Sequence, residues 1–188
     1  MCDKAQSIYD RNVVHDIFNE ISCLEYFRLQ PSLVTLYDFG FCSDKDQYFI
    51  VMEKFPLSLK AWRQAQTKGI DQMIEVYLKI FRAVNSALMN LHLNNVTHYD
   101  TKCDNILIDP DNPKPETGQL GPKFKIAIAD LGTCKIFVDE DEEVDLISRG
   151  TMCIKSPEMV NLDIANNDEG AHFDRRRKVG TTRASDIW

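Results

Sequence analysis

The stretch that decides the fold is residues 96–108, Val96-Thr97-His98-Tyr99-Asp100-Thr101-Lys102-Cys103-Asp104-Asn105-Ile106-Leu107-Ile108. Two short apolar runs flank a polar octet, which reads as strand, loop, strand. Within the loop a carboxylate is followed two places on by a Lys and five places on by an Asn. Asp100 is thus a candidate proton acceptor, Lys102 a candidate phosphate-facing cation and Asn105 a candidate metal ligand. Each has a plainer reading when taken alone. A single Asp or Asn in a loop is more often a turn former or a cap.

Downstream, Lys125 to Ala129 reads as another short strand, closed by Asp130-Leu131-Gly132. The prolines and glycines between 109 and 123 predict a loop insertion or an extended hairpin tip. Upstream, Ile74, Tyr77, Leu78, Phe81, Val84, Leu88 and Leu91 recur at helical steps and predict a helix from about Asp71 to His92, with that stripe as core. Asp71 suits the positive end of its dipole. Residues 12–28 also carry apolar side chains at helical spacing, stopped by Pro31. Leu33 to Phe41 and Gln47 to Phe55 predict an antiparallel hairpin, and residues 57–64 a short helix. The acids from Asp139 to Glu143 read as an exposed run. Residues 161–184, with Arg175-Arg176-Arg177-Lys178, read as a solvated loop, and Ala184 to Trp188 as the first turn of a helix.

The bulk numbers bound the class. The 188 residues suffice for one domain with a sizeable core. Apolar content of 44% and charged content of 27% are those of a globular protein. A net charge of −7 argues against a general nucleic-acid binder. The six cysteines include no C-x-x-C pair, so neither a zinc ribbon nor a redox pair is indicated. Scattered thiols fit a reducing compartment. No apolar run approaches the length of a membrane span, and the N-terminus carries no signal-peptide pattern.

The order of the motifs outweighs the weakness of each. The octet, Asp130-Leu131-Gly132, Ser156-Pro157-Glu158 and Asp186-Ile187-Trp188 follow one another as in the eukaryotic protein kinase family, and the resemblance covers nearly the whole chain. The octet resembles the kinase catalytic loop H-R-D-L-x-x-x-N. The resemblance implies an α+β, partial bilobal protein kinase-like fold. Residues 1–55 would be a truncated, β-rich N-lobe and 56–188 an incomplete helical C-lobe. Asp100 and Lys102 would be catalytic, and Asn105 and Asp130 would hold Mg2+ on ATP. Met52 would be the gatekeeper, the backbone of Glu53 and Phe55 would meet adenine, and Leu107 would pack beneath it. Glu20 resembles the ion-pairing acid of the family's first helix. Leu24, Leu36, His98 and Leu131 match its stacked apolar column. Gly150-Thr151 resembles the substrate-docking segment, with Thr151 beside the catalytic Asp. Lys102 with Thr151 implies serine/threonine specificity, with a protein substrate; the charge, the thiols and the absence of a membrane-length run lead to the expectation of no nucleic acid, no membrane and a cytosolic or nuclear location, taken as cytoplasmic.

Departures from the family pattern matter. No glycine precedes Gly40, so the glycine-rich loop is missing, as is the strand Lys that would pair with Glu20. The usual Arg partner of Glu158 would fall beyond Trp188. The chain is therefore expected to be a fragment of a longer kinase, poorly stable and with little or no activity by itself. Tyr99 stands where the family has the Arg that reads an activation-loop phosphate, so phosphorylation of Ser148 or Thr151 is not expected to be the main switch. Two other readings compete. One is a pseudokinase or scaffold, favoured by the missing loop and Lys and by Tyr99. The other is a small-molecule phosphotransferase of the aminoglycoside or choline kinase type, which shares H-x-D-x-x-x-x-N but lacks the Ser156-Pro157-Glu158 segment.

Overall fold

The computed structural model describes residues 4–45, 47–137, 147–167 and 181–187. Along the chain lie α1 (Lys4–Tyr26), β1 (Leu36–Cys42), β2 (Gln47–Met52), β3 (Leu57–Ser58), α2 (Leu59–Gln64) and α3 (Ile74–Leu93). They are followed by β4 (Val96–Thr97), β5 (Ile106–Asp109), β6 (Lys125–Ile128), β7 (Lys135–Ile136) and α4 (Pro157–Asn167). Single 3-10 turns occupy Ile70–Gln72, Pro115–Thr117, Met152–Ile154 and Arg183–Asp186. Mixed helices and small sheets make this an α+β fold. The acidic run at 139–143, the basic run at 175–178 and Trp188 lie outside the described residues. No helix among the described residues is long and apolar enough to cross a membrane.

The chain forms two compact units, and their boundary falls inside α3. The first comprises the residues up to Ala87 together with Cys103–Gly132; the second comprises Leu88–Lys102 and the residues from Thr133 on.

In the first unit β1 and β2 pair antiparallel, with a bulge between Leu36 and Asp38. A three-stranded sheet runs in the order β3-β5-β6. Trp62, Met73, Ile80, Ile106, Ile108 and Ile126 form its core. Trp62 is fully buried and is the buried residue of the six-residue helix α2. Ser58 starts α2 by accepting the Ala61 N–H at 3.2 Å, a side-chain cap of the usual kind. In the second unit β4 and β7 form a short antiparallel pair, with Val96 opposite Ile136. Val96, Leu91, Met159 and Leu162 are buried there.

Several sequence expectations shift. Helix α1 begins at Lys4, well before residue 12, and ends at Tyr26. Residues 57 and 58 are strand, because β5 offers them a ladder partner. Residues 161–167 continue α4 and are not loop. On α3 the expected stripe holds in part: Leu88 and Leu91 are buried, and Tyr77 and Val84 pack half-buried against the core. Ile80, Ala87, Leu88 and Leu91 are buried, whereas Ile74, Leu78 and Phe81 are exposed. The helix is apolar around much of its circumference, so two stripes satisfied the same periodicity.

Candidate active site

The first unit carries the oxygen donors. In the β5–β6 ladder Ile106 faces Ile128 and Leu107 faces Ala127. The Ala129 N–H donates to the Asn105 carbonyl at 2.9 Å. That register puts Asn105 and Asp130 at the same end of one hairpin. Asn105 is buried. Asp130 has φ of 62°, a left-handed conformation that Asp adopts more readily than most side chains. An amide oxygen and a carboxylate are hard donors, the type that Mg2+ takes. Among the described residues no cluster of three His, Cys, Asp or Glu side chains could cage an ion. Two donors suit a metal that arrives with phosphates and keeps waters, as Mg2+ does.

Glu20 of α1 lies in the same unit. Burial pushes its carboxyl above the usual range, and the Asp130 carboxylate adds to this, against a hydrogen bond from the Leu131 N–H. Among the described residues no lysine or arginine forms an ion pair with it. A carboxyl whose folded pKa is raised contributes stability that is present below its unfolded value of 4.5 and lost as pH rises through the folded value. Glu20→Gln, which keeps the acceptor for Leu131, is therefore expected to unfold at a higher temperature than wild type at neutral pH. The difference should vanish below pH 4.5. Thermal melts across pH would test this, and equal melting temperatures at neutral pH would refute it.

The segment expected to meet adenine is also in this unit. The Glu53 N–H donates to the Thr35 carbonyl at 2.8 Å, so the backbone group Glu53 has left to offer is its carbonyl. The Glu53 carboxylate takes Lys125 Nζ at 2.6 Å and the Thr35 hydroxyl at 3.1 Å. The Lys125 bond, helped by that of Thr35, outweighs burial and lowers the Glu53 pKa. Lys125 Nζ also lies 5.7 Å from the Phe55 ring centroid. Met52 pairs with Leu36 across β1–β2, and Leu107 sits between Ser58 and Ala127 in its sheet. A cavity of about 510 Å³ in this unit is lined by Lys54, Pro56, Leu57, Asp109, Pro110, Asn112 and Pro115. None of Met52, Glu53, Phe55 or Leu107 lines it, so this cavity is not the expected adenine site.

The second unit carries Asp100, the expected proton acceptor. Asp100 Oδ2 accepts Lys102 Nζ at 2.6 Å, and Lys102 also donates to Thr151 Oγ1 at 2.7 Å. Asp100 Oδ1 accepts the Thr151 N–H at 2.8 Å. Burial is the largest single influence on Asp100 and pushes its pKa up. Donation from Lys102 and from the Thr151 hydroxyl and N–H together outweighs it, so the carboxyl titrates below the usual range. Asp100 is thus a weak base held in one orientation, suited to aiming a hydroxyl and taking its proton late. Gly150 makes the contact with Thr151 possible. Its φ is 78°, and a Cβ there would meet the Tyr99 carbonyl oxygen. Gly150→Ala is expected to push Thr151 off Asp100 and to lower stability by more than about 1 kcal/mol, the cost of left-handed backbone alone. Denaturant unfolding would show it, and an unchanged midpoint would refute it.

Tyr99 is held in the left-handed region, at φ of 66°. Two bonds from Asp186 offset that strain: Oδ1 accepts the Tyr99 N–H at 2.6 Å and Oδ2 the His98 N–H at 2.8 Å. His92 Nε2 approaches Asp186 Oδ2 at 2.8 Å. The Asp100 N–H donates to His98 Nδ1 at 3.1 Å. The Tyr99 hydroxyl accepts from Thr181 Oγ1 at 3.2 Å. In place of Arg, the chain has a buried neutral side chain tied to a buried threonine. Glu158, expected to pair with an Arg, accepts the Ser185 hydroxyl at 2.9 Å. Leu24, Leu36, His98 and Leu131 are each buried within their own units.

The protein kinase domain model matches residues 3–188. The chain belongs to the protein kinase domain family. It is 36% identical over 191 residues to a probable serine/threonine-protein kinase of Dictyostelium discoideum, covering 97% of this chain and 8% of that protein. It is 32% identical over 98 residues to the serine/threonine-protein kinase PDK1 of Cryptococcus neoformans, covering 52% of this chain and 6% of that protein. The chain therefore spans less than a tenth of the length of these relatives. Sequence reasoning about this kinase domain missed the roles of Asp186, Thr181, Lys125 and Asn19. Asp186 belongs to the Asp186-Ile187-Trp188 motif, but no letter in the sequence says that it holds backbone N–H groups.

Proposed function

We propose that this kinase domain serves transfer of the γ-phosphoryl group of ATP to a serine or threonine hydroxyl of a protein. The observation that carries this reading is the Asp100–Lys102–Thr151 arrangement, which leaves a weakly basic carboxylate beside a cation. Asp100 orients the acceptor hydroxyl and receives its proton. The hydroxyl oxygen forms the new bond to phosphorus, and the bond to the ADP oxygen breaks. Lys102 offsets charge on the group in transit. Mg2+, when bound with ATP, neutralises phosphate charge; Asn105 and Asp130 are the side chains to hold it. Met52, Glu53, Phe55 and Leu107 would frame the adenine, within an N-lobe remnant at 1–55 and a C-lobe portion at 56–188. Free thiols at Cys42, Cys103 and Cys153 fit a reducing, cytoplasmic setting.

A second reading is favoured by Glu20, which pairs with no cation among the described residues. It is a pseudokinase that binds partners without transferring phosphate. Radiolabelled ATP offered to the full-length parent with serine, threonine and tyrosine peptide pools separates the two. Label on serine and threonine peptides supports the kinase reading. Label on none, from protein that is folded, supports the pseudokinase.

A further inference from the structure

One turn of α1 grips the Asp130-Leu131-Gly132 segment by its backbone. Asn19 Nδ2 donates to the Gly132 carbonyl at 2.9 Å and to the Leu131 carbonyl at 3.3 Å. The next residue, Glu20, accepts the Leu131 N–H. Three residues before Asn19, Asp16 brings its backbone against Gly132: a Cβ on that glycine would meet the Asp16 carbonyl oxygen at 3.4 Å. Positions 16, 19 and 20 share one helix face by their spacing. Cys23, Leu24 and Phe27 continue that face and are buried. The Leu131 side chain is buried as well, so the tripeptide is fixed at its N–H, at two carbonyls and at its side chain.

Asp130 needs this support. A left-handed Asp costs on the order of 1 kcal/mol or more and persists only where its surroundings over-determine it. Its own side chain is the one the reaction requires, so the restraint has to come from its neighbours. A carboxamide suits the task, because it offers two N–H donors to two carbonyl oxygens. A carboxylate of the same shape would meet those oxygens with repulsion.

We propose that Asn19 is a positioning residue for the metal-holding carboxylate of Asp130, acting through the Leu131 and Gly132 carbonyls. Where an ion pair does not tie α1 to the phosphates, α1 reaches the metal site through the backbone of Asp130-Leu131-Gly132. The proposal rests on the reading of Asp130 as a ligand of nucleotide-borne metal.

The test uses the intact protein with Asn19→Ala and Asn19→Asp. Alanine favours helix more than asparagine does, so α1 is retained. The first measurement is amide hydrogen exchange. In both variants exchange at Leu131 and Gly132 should rise about tenfold or more, with the β5–β6 ladder unchanged. The second is binding of Mn2+ with ADP, read by the electron resonance of the metal. Asn19→Ala should weaken Mn2+ binding by about tenfold, the usual cost of losing a group behind a metal ligand. Binding of ADP without metal should be unchanged. Unchanged exchange overturns the clamp, and faster exchange with unchanged Mn2+ affinity overturns the positioning role. If wild type binds no Mn2+ with ADP, the nucleotide reading itself fails and with it the metal-positioning role. Exchange then decides only whether Asn19 holds the backbone.

Discussion

Asp186→Ala is expected to destabilise the second unit by about 3 kcal/mol or more. The side chain of Asp186 has no solvent exposure, and it accepts two buried backbone N–H groups, those of His98 and Tyr99. Removing it leaves both donors without an acceptor, and each buried orphan costs about 1–3 kcal/mol. His92 loses its partner as well. The left-handed Tyr99 backbone would then be strained without compensation and should relax. Asp186→Asn should do little better: one oxygen remains for one N–H, but the amide nitrogen turns a donor toward the other. Denaturant unfolding of both variants would test this, with hydrogen exchange at residues 98–100 as a local readout. A loss below about 1 kcal/mol for alanine would show that the three contacts do not anchor the loop.

The second large effect concerns chemistry. Asp100→Asn in the full-length parent is expected to slow phosphoryl transfer by about 10²–10⁴, the usual worth of a positioned acid–base group. The amide keeps an oxygen for the Thr151 N–H or for Lys102 but cannot take a proton from the acceptor hydroxyl. Nucleotide affinity should change little, because Asp100 is not among the groups proposed to hold metal. The pH profile carries a further sign. Since Asp100 titrates below its ordinary value of 3.8, it stays ionised across neutral and mildly acidic pH. Its contribution to stability is present above the unfolded value and is lost only as pH falls through the lower, folded one. Single-turnover transfer rates and nucleotide binding, measured side by side, would test the assignment. A variant that transfers at the wild-type rate would remove Asp100 from the mechanism.

Part of the local geometry around the expected site residues was legible in the sequence. Asp100, Lys102 and Thr151 were expected together, and the structure joins them by hydrogen bonds of 2.6–2.8 Å. Asn105 and Asp130 were expected as a pair of oxygen donors, and the hairpin register puts them at one end of the same ladder. The extent of α4 was not legible. Residues 161–167 are rich in Asn and Asp, which favour turns over helix interiors. The buried face of α3 was legible only in part: Leu88 and Leu91 were expected inside and are, but Phe81 and Ile80 are equally apolar and only their neighbours separate them.

The sequence alone determined the family, the α+β class and the identity of the polar groups, because motif order and spacing are properties of the string. The tertiary structure decided what holds those groups in place. Asn19 reaches carbonyls 112 and 113 residues away, and Asp186 reaches amides 87 and 88 residues back. In both cases the partner is main chain. Every residue but proline carries the same N–H and C=O, so no choice of side chain marks them in the sequence. Only folding, which brings distant segments into register, selects which of them are gripped.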